Sequence, residues 1–352
     1  MKKVIDICGR KIGHGYPPYI IAEISGNHNG CLDKAIALLE LAKKCGVDAV
    51  KIQTYRPDTM TIQCDKSDFL VDGGLWHGKT LYELYEWAHT PWEWHEALFK
   101  KAREIGITLF SSPFDETAVE FLEDFDVPAY KIASFEMTDL PLIEKVARTG
   151  KPLIISTGMA NFDEIAETVD LVRSTGNQNL VLLHCVSSYP ARHTETNLNT
   201  IPDLEKRFDT LVGLSDHTLT NVTSIASISL GASVIEKHFI DSRDQGGPDA
   251  AFSVEPAEFE SLCRDVAIAW ECLGEVSYRL SEGEKSSQAF RRSVYVVQDI
   301  KKGDVFTTEN VRRIRPGYGI APKYLSHIIG QVAPVDIEKG TAFSIELFSI
   351  IR

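Results

Sequence analysis

Between residues 19 and 273 the chain repeats one unit eight times: a short apolar run, a few polar residues, then a helix-length amphipathic stretch. The runs lie at 19–24, 49–53, 108–111, 129–133, 153–156, 180–184, 211–215 and 234–238. They are apolar nearly throughout, which is the pattern of strands buried on both faces of a parallel sheet. Parallel strands need a crossover between them, and a helix is the usual one. The stretch at 32–45 shows the period, with Ala35, Leu38, Leu39 and Ala42 on one face and Gly46 as its stop. Thr90-Pro91-Trp92-Glu93 predicts a helix start, with Thr90 as N-cap, proline at the first helical position and glutamate at the third. Further helices are expected at 116–125, 139–148, 162–175, 201–208, 221–230 and 256–273. Eight strand–helix units over about 250 residues match an α/β chain closed as a (β/α)8 barrel. A doubly wound open sheet is the competing arrangement. It loses support because the Gly26-Asn27-His28-Asn29-Gly30 turn after the first strand lacks the dinucleotide-binding glycine spacing.

One connection is long. Residues 54–89 carry Trp76, Tyr82, Tyr85 and Trp87, too aromatic for a disordered loop, and are expected to form a lid over a pocket; a structural excursion is the alternative. After the eighth unit the pattern changes. Residues 276–292 are polar enough for a linker, which divides the chain into a barrel at 1–275 and a small β-rich domain at 293–352. That domain repeats itself weakly: Asp299-Ile-Lys-Lys-Gly-Asp aligns with Asp336-Ile-Glu-Lys-Gly-Thr, each half reading as strand, Lys-Gly turn, strand. A net charge of −13 argues against a nucleic-acid surface but leaves room for a locally basic pocket. Seven cysteines with no C-x-x-C pair suit a reduced, cytoplasmic compartment. No apolar stretch has the length of a signal peptide core or a membrane span.

In a barrel of this kind the chemistry sits where strands end and the following loops begin. Those ends carry Glu23, Lys51 with Gln53, Ser111, Lys131 with Ser134 and Glu136, Ser156, His184 with Ser187 and Tyr189, Ser215 with Asp216 and His217, and Glu236 with His238. A lysine inside an apolar strand is costly unless something anionic meets it. Lys51 and Lys131 are both such residues. Salt bridges to Glu23 or Glu236 would satisfy them; so would a phosphate or carboxylate held together with Ser134, Ser156 and Ser215. His217 and His238 end successive strands. Each alone could be a hydrogen-bonded structural residue. Together they can hold a divalent metal whose other ligands are water and substrate, an open catalytic site. A third possibility is a class I aldolase with Lys131 as Schiff-base nucleophile; Lys237 is opposite His238 by alternation and points away. A sugar- or ice-binding protein without turnover would leave the rim lysines, serines and histidines unexplained.

Six segments resemble the sialic acid synthase family, in order along nearly the whole chain: Ile21-Ala-Glu-Ile-Ser-Gly-Asn-His-Asn-Gly, Tyr130-Lys-Ile-Ala-Ser-Phe-Glu, Ile155-Ser-Thr-Gly-Met, His184-Cys-Val-Ser-Ser-Tyr-Pro, Gly213-Leu-Ser-Asp-His-Thr and Ile235-Glu-Lys-His-Phe. The tail, with Arg315-Pro-Gly-Tyr-Gly, is similar to that family's antifreeze-like (SAF) domain. Residues 67–85 resemble the pseudaminic acid branch, and Ser187 stands where N-acetylneuraminate synthases carry asparagine. The resemblance implies condensation of phosphoenolpyruvate with 2,4-diacetamido-2,4,6-trideoxy-L-altrose to pseudaminic acid and phosphate, by attack of the phosphoenolpyruvate C3 on a metal-polarised aldehyde with C–O cleavage. N-acetylneuraminate or legionaminic acid synthesis is the alternative. By the same carry-over, His217 and His238 hold Mn2+, Mg2+ or Co2+, and Lys51, Lys131, Ser134, Ser156, Ser187 and Ser215 hold phosphoenolpyruvate. Glu23 is the implied base. Gln53, Glu136, Tyr189, Asp249 and Phe290 face the acetamido sugar, and Arg315 reaches it from the other subunit of a domain-swapped homodimer.

Overall fold

The computed structural model describes residues 3–351. The chain divides into two compact units, Met1–Gly274 and Glu275–Arg352. The first opens with an antiparallel hairpin of β1 (Val4–Ile7) and β2 (Arg10–Gly13). Eight parallel strands follow: β3 (Tyr19–Glu23), β4 (Ala49–Thr54), β5 (Thr108–Pro113), β6 (Tyr130–Ile132), β7 (Leu153–Ser156), β8 (Leu180–Cys185), β9 (Leu211–Asp216) and β10 (Val234–His238). β10 pairs with β3, which closes the barrel. The expected fold is therefore the observed one, with strands where the apolar runs are.

Strand alternation sorts side chains into two cores. Tyr19, Ile21, Ala49, Phe110, Ala129, Ile154, Val181, Leu183, Leu211 and Val234 fill the barrel interior, and Ile5, Ile7 and Ile12 of the hairpin plug its lower mouth. Their neighbours Ala22, Val50, Ile52, Ile132, Ile155, Leu182, Leu214 and Ile235 face outward against the helices. Gly213 is needed in the inner layer, since a Cβ there would lie 2.2 Å from the Val234 carbonyl oxygen. The upper interior is left to the polar ends of the strands.

One local expectation fails. The helix after the insertion does not start with Thr90 as its cap. Pro91 has φ −52° and ψ 134°, an extended ψ, and a 3-10 turn at Trp92–Trp94 precedes the α-helix His95–Ile105. Trp92 is taken up elsewhere: it stacks on Phe121 with centroids 4.3 Å apart and donates Nε1–H to the Tyr55 carbonyl at 3.2 Å. The turn thus serves packing rather than capping.

In the second unit β11 (Ser293–Val296) and β12 (Val311–Ile314) pair antiparallel over a core that includes Val294, Ile300, Phe306, Ile328, Ile337 and Phe343. The repeat is real in three dimensions, though its expected strands are mostly single bridges. Ile300 and Ile337 exchange both backbone hydrogen bonds, at 2.9 and 2.8 Å. Asp336 accepts from the Lys302 amide, and Asp299 accepts from the Lys339 amide, each at 2.8 Å. Each half caps the Lys-Gly turn of the other.

Candidate active site

The strand ends open into a cavity of about 390 Å3. Inward-pointing Lys51 and Gln53, Lys131, Ser156, Ser215 and His217, Glu236 and His238 line it, joined by Ser134, Glu136, Tyr189 and Asp249 from the loops. Lys51 and Lys131 are 3% and 2% exposed. Both expected partners are there. Lys51 Nζ is 2.8 Å from Glu23 Oε2 and 3.5 Å from Glu236 Oε1, and Lys131 Nζ is 3.4 Å from Glu236 Oε1. Ser215 donates to Glu236 Oε1 at 3.1 Å. Burial pushes the Glu236 carboxyl up, but Lys131 and Lys51 outweigh it and hold the pKa down at about 2. Burial lowers the Lys131 pKa, with Glu236 opposing. It raises that of Glu23, with Lys51 opposing.

Next to the lysines is a hydroxyl cradle. Ser134 Oγ and Ser187 Oγ are 2.8 Å apart, and Ser156 Oγ is buried without a hydrogen-bond partner among the described residues. Gly158, with φ +48°, packs against them; a Cβ there would meet Ser134 Cβ at 2.4 Å and Ser187 Oγ at 2.8 Å. A backbone turn this close to the Ser134 and Ser187 hydroxyls, in a cavity that also holds Ser156 and two lysines, fits an anion such as a phosphate.

In the same cavity the His217 and His238 rings lie with centroids 5.4 Å apart. His217 Nδ1 is 2.9 Å from the Val186 carbonyl oxygen. A carbonyl only accepts, so Nδ1 carries the proton and Nε2 is left for a ligand. Burial holds the His238 pKa well below its ordinary value, with His217 adding to the effect. His217 goes the other way: burial would discharge it, but the Cys185 sulfur and the Val186 carbonyl favour its protonated form. Among the described residues no group of three or more His, Cys, Asp or Glu side chains is arranged to hold a metal. The pair fits an open site completed by water and substrate, not a closed one.

The insertion forms one wall. Trp76 donates Nε1–H to the Pro248 carbonyl at 2.7 Å and lies 6.1 Å from the Tyr189 ring. Met60, Val71, Leu81, Leu84, Tyr85 and Ala88 from the same segment give that side of the cavity an apolar lining. In the same cavity the Glu136 carboxyl is pushed up to about 7, chiefly by burial, and its Oε2 has no hydrogen-bond partner among the described residues.

Several strand-end residues are elsewhere. Ser111 and His184 point out of the barrel: Ser111 bonds to Thr54 Oγ1 at 2.6 Å, and His184 Nε2 donates to the Thr196 carbonyl at 2.5 Å. Asp216 also faces outward, paired with Lys237 at 2.8 Å. Glu23 is inside but beneath the cavity, held by Lys51 and by Gln53 Nε2 at 2.9 Å. Phe290 and Arg315 belong to the second unit and are exposed there. Missed from the sequence were Cys185, the true inward end of β8, and Phe252, whose ring is 4.9 Å from that of His238. Alternation along β8 from Val181 and Leu183 would have found Cys185. Phe252 sits in a loop, where no periodicity marks it.

Residues 38–278 match the NeuB family model, and residues 291–348 match the SAF domain. The chain is 43% identical to a pseudaminic acid synthase of Campylobacter jejuni, covering 92% of this chain and 94% of that one. It is 42% identical to a pseudaminic acid synthase of Helicobacter pylori, covering 93% and 97%. A crystal structure of N-acetylneuraminic acid synthetase from Leptospira borgpetersenii, in complex with citrate, superposes with a TM-score of 0.73 at 28% identity, over 82% of this chain and 95% of that one. No helix among the described residues is long and apolar enough to cross a membrane. A barrel with this rim, followed by a SAF domain and matched over nearly its whole length by named synthases, belongs to the NeuB family and is an enzyme of the sialic acid synthase type.

Proposed function

We propose that this chain is a pseudaminic acid synthase that condenses phosphoenolpyruvate with 2,4-diacetamido-2,4,6-trideoxy-L-altrose, releasing phosphate. The observation that carries the reading is one cavity that brings together Lys51, Lys131, Ser134, Ser156 and Ser215, with Ser187 bonded to Ser134, and the His217–His238 pair. The lysines and serines would hold the phosphate and carboxylate of phosphoenolpyruvate, and the charged groups act in a water-poor site where they are strong. His217 and His238 would hold Mn2+, Mg2+ or Co2+, which as a Lewis acid polarises an aldehyde.

In the reaction the enol carbon C3 bonds to the aldehyde carbon, whose oxygen takes up a proton and becomes a hydroxyl. Water adds at C2 and loses a proton. The C2–O bond then breaks and phosphate leaves. Glu136 would take the proton from water; that it lines the cavity, with its carboxyl at about 7, supports this. Glu23, implied as the base by resemblance, is better placed to keep Lys51 charged and oriented. Tyr189, Gln53 and Asp249 would meet the sugar's polar groups, and the apolar wall from the insertion would take its 6-methyl and acetamido methyls. The chain would act as a homodimer in which the tail of one protomer, with Arg315 and Phe290, completes the barrel of the other.

A panel of three acceptors tests this: the L-altrose sugar, the diacetamido isomer leading to legionaminic acid, and N-acetylmannosamine. Fastest phosphate release with the first is expected; a clear preference for either other sugar would move the chain to that branch. Chelation should abolish condensation, and full activity afterwards would remove the metal. One observation favours a second reading. The lowered pKa of Lys131 suits an imine-forming lysine. Borohydride trapping with substrate should leave Lys131 unmodified; a mass adduct there would establish the Schiff-base aldolase instead.

A further inference from the structure

Directly behind the two histidines lies an ion pair that the reaction does not use. Lys237 and Asp216 are partners in the β9–β10 register and face away from the cavity. Both are buried, their side chains 0% and 1% exposed. Lys237 Nζ donates to Asp216 Oδ2 at 2.8 Å and to the Thr218 and Thr220 carbonyls at 2.5 and 3.3 Å. Asp216 Oδ1 accepts from the Thr218 amide at 2.9 Å, and Oδ2 accepts from Thr223 and Ser224 hydroxyls at 2.7 and 2.6 Å. The ammonium and the carboxylate thus bind one strand end, the loop after it and the next helix into a single network.

The position of this network in sequence is what matters. Asp216 lies between Ser215 and His217, and Lys237 between Glu236 and His238. Fixing the two outward residues fixes, through one peptide on each side, the inward four. A buried charge pair is weak as a source of stability, because desolvation offsets most of the attraction. It is strong as a register device, since neither charge tolerates moving away from the other. We propose that the Lys237–Asp216 pair is a positioning clamp: it sets the spacing of His217 and His238 and thereby the affinity of the site for a divalent cation. The inference rests on the metal-site reading above.

The test uses Mn2+ with the full-length chain and the double variant Lys237→Met/Asp216→Asn. It removes both charges at once, so neither is left buried alone, and it keeps an oxygen for the Thr218 amide. Mn2+ binding by calorimetry is expected to weaken about 10- to 100-fold, the usual effect of losing groups behind a metal ligand. Activity should return at saturating Mn2+. Amide exchange over residues 216–221 should quicken in the metal-free protein. The control is the Arg10–Asp48 pair at the opposite mouth, 2.9 Å apart. Arg10→Met/Asp48→Asn should lower thermal stability and leave Mn2+ affinity unchanged. Thr223→Val, which deletes one hydroxyl from the Asp216 network, should weaken Mn2+ binding in the same direction by a smaller factor, and it answers the question even where the double variant does not fold. A folded variant that binds Mn2+ within twofold of the parent overturns the clamp. A parent that binds no Mn2+ overturns the metal reading instead, and unchanged exchange over 216–221 would then overturn the clamp separately.

Discussion

Gly158 shows how a single missing side chain can keep a polar niche open. The cradle beneath it exists because no Cβ occupies the space beside Ser134 and Ser187. Gly158→Ala is expected to raise the phosphoenolpyruvate KM about tenfold, a loss of roughly 1.4 kcal/mol of binding, while the acceptor KM changes little; steady-state kinetics in both substrates decides it. Glu136 predicts a pH effect. Burial lifts its carboxyl to about 7, so it is neutral below that pH and charged above. A base must be charged to work, so kcat should rise with pH through about 7, and Glu136→Gln should remove that limb while lowering kcat. A Gln variant that keeps the wild-type limb would place the base elsewhere. At this scale the sequence was most informative where alternation applies. Lys51, Gln53, Lys131, Ser215, Glu236 and His238 all face the cavity as their strand parity requires. Ser111 and His184 end their apolar runs yet point outward, because the register decides which of two adjacent residues turns inward. Cys185 was overlooked for the same reason, one residue further along.

The elements were legible wherever a period repeats and obscure wherever packing decides. All eight barrel strands and the helices between them follow from apolar spacing. The start of the His95–Ile105 helix does not, because Trp92 is held by Phe121 and the Tyr55 carbonyl. The length of the insertion and its aromatic content together predict a lid over a pocket, and the segment supplies one wall of the cavity. It is tied to the opposite loop by the Trp76–Pro248 hydrogen bond. Trp76→Phe keeps a ring and loses that bond, which is worth about 1 kcal/mol. The acceptor KM should rise several-fold with the phosphoenolpyruvate KM unchanged. Equal shifts in both would mean that the wall shapes the whole cavity rather than its sugar end.

At the scale of the molecule, the two units divide the proposed work. If the tail of one protomer completes the barrel of the other, two inactive chains should rescue each other. Lys131→Met disables the barrel and Arg315→Ala the tail. Mixed and reassembled, they should form heterodimers with one intact site of two, and the activity of the mixture should exceed the sum of its parts; no gain would argue for self-contained protomers. The tail has a logic of its own. Asp299 caps the turn of the second half and Asp336 that of the first, while Ile300 and Ile337 bond to each other between the halves. Each turn is closed by its own half, Asp304 onto Lys301 and Thr341 onto Glu338, but the Lys302 and Lys339 amides find their acceptors only in the other half. An unfolding tail therefore has no stable halfway stage: cutting the chain between the repeats should yield two fragments without fixed structure, which recover it only when each is offered the other.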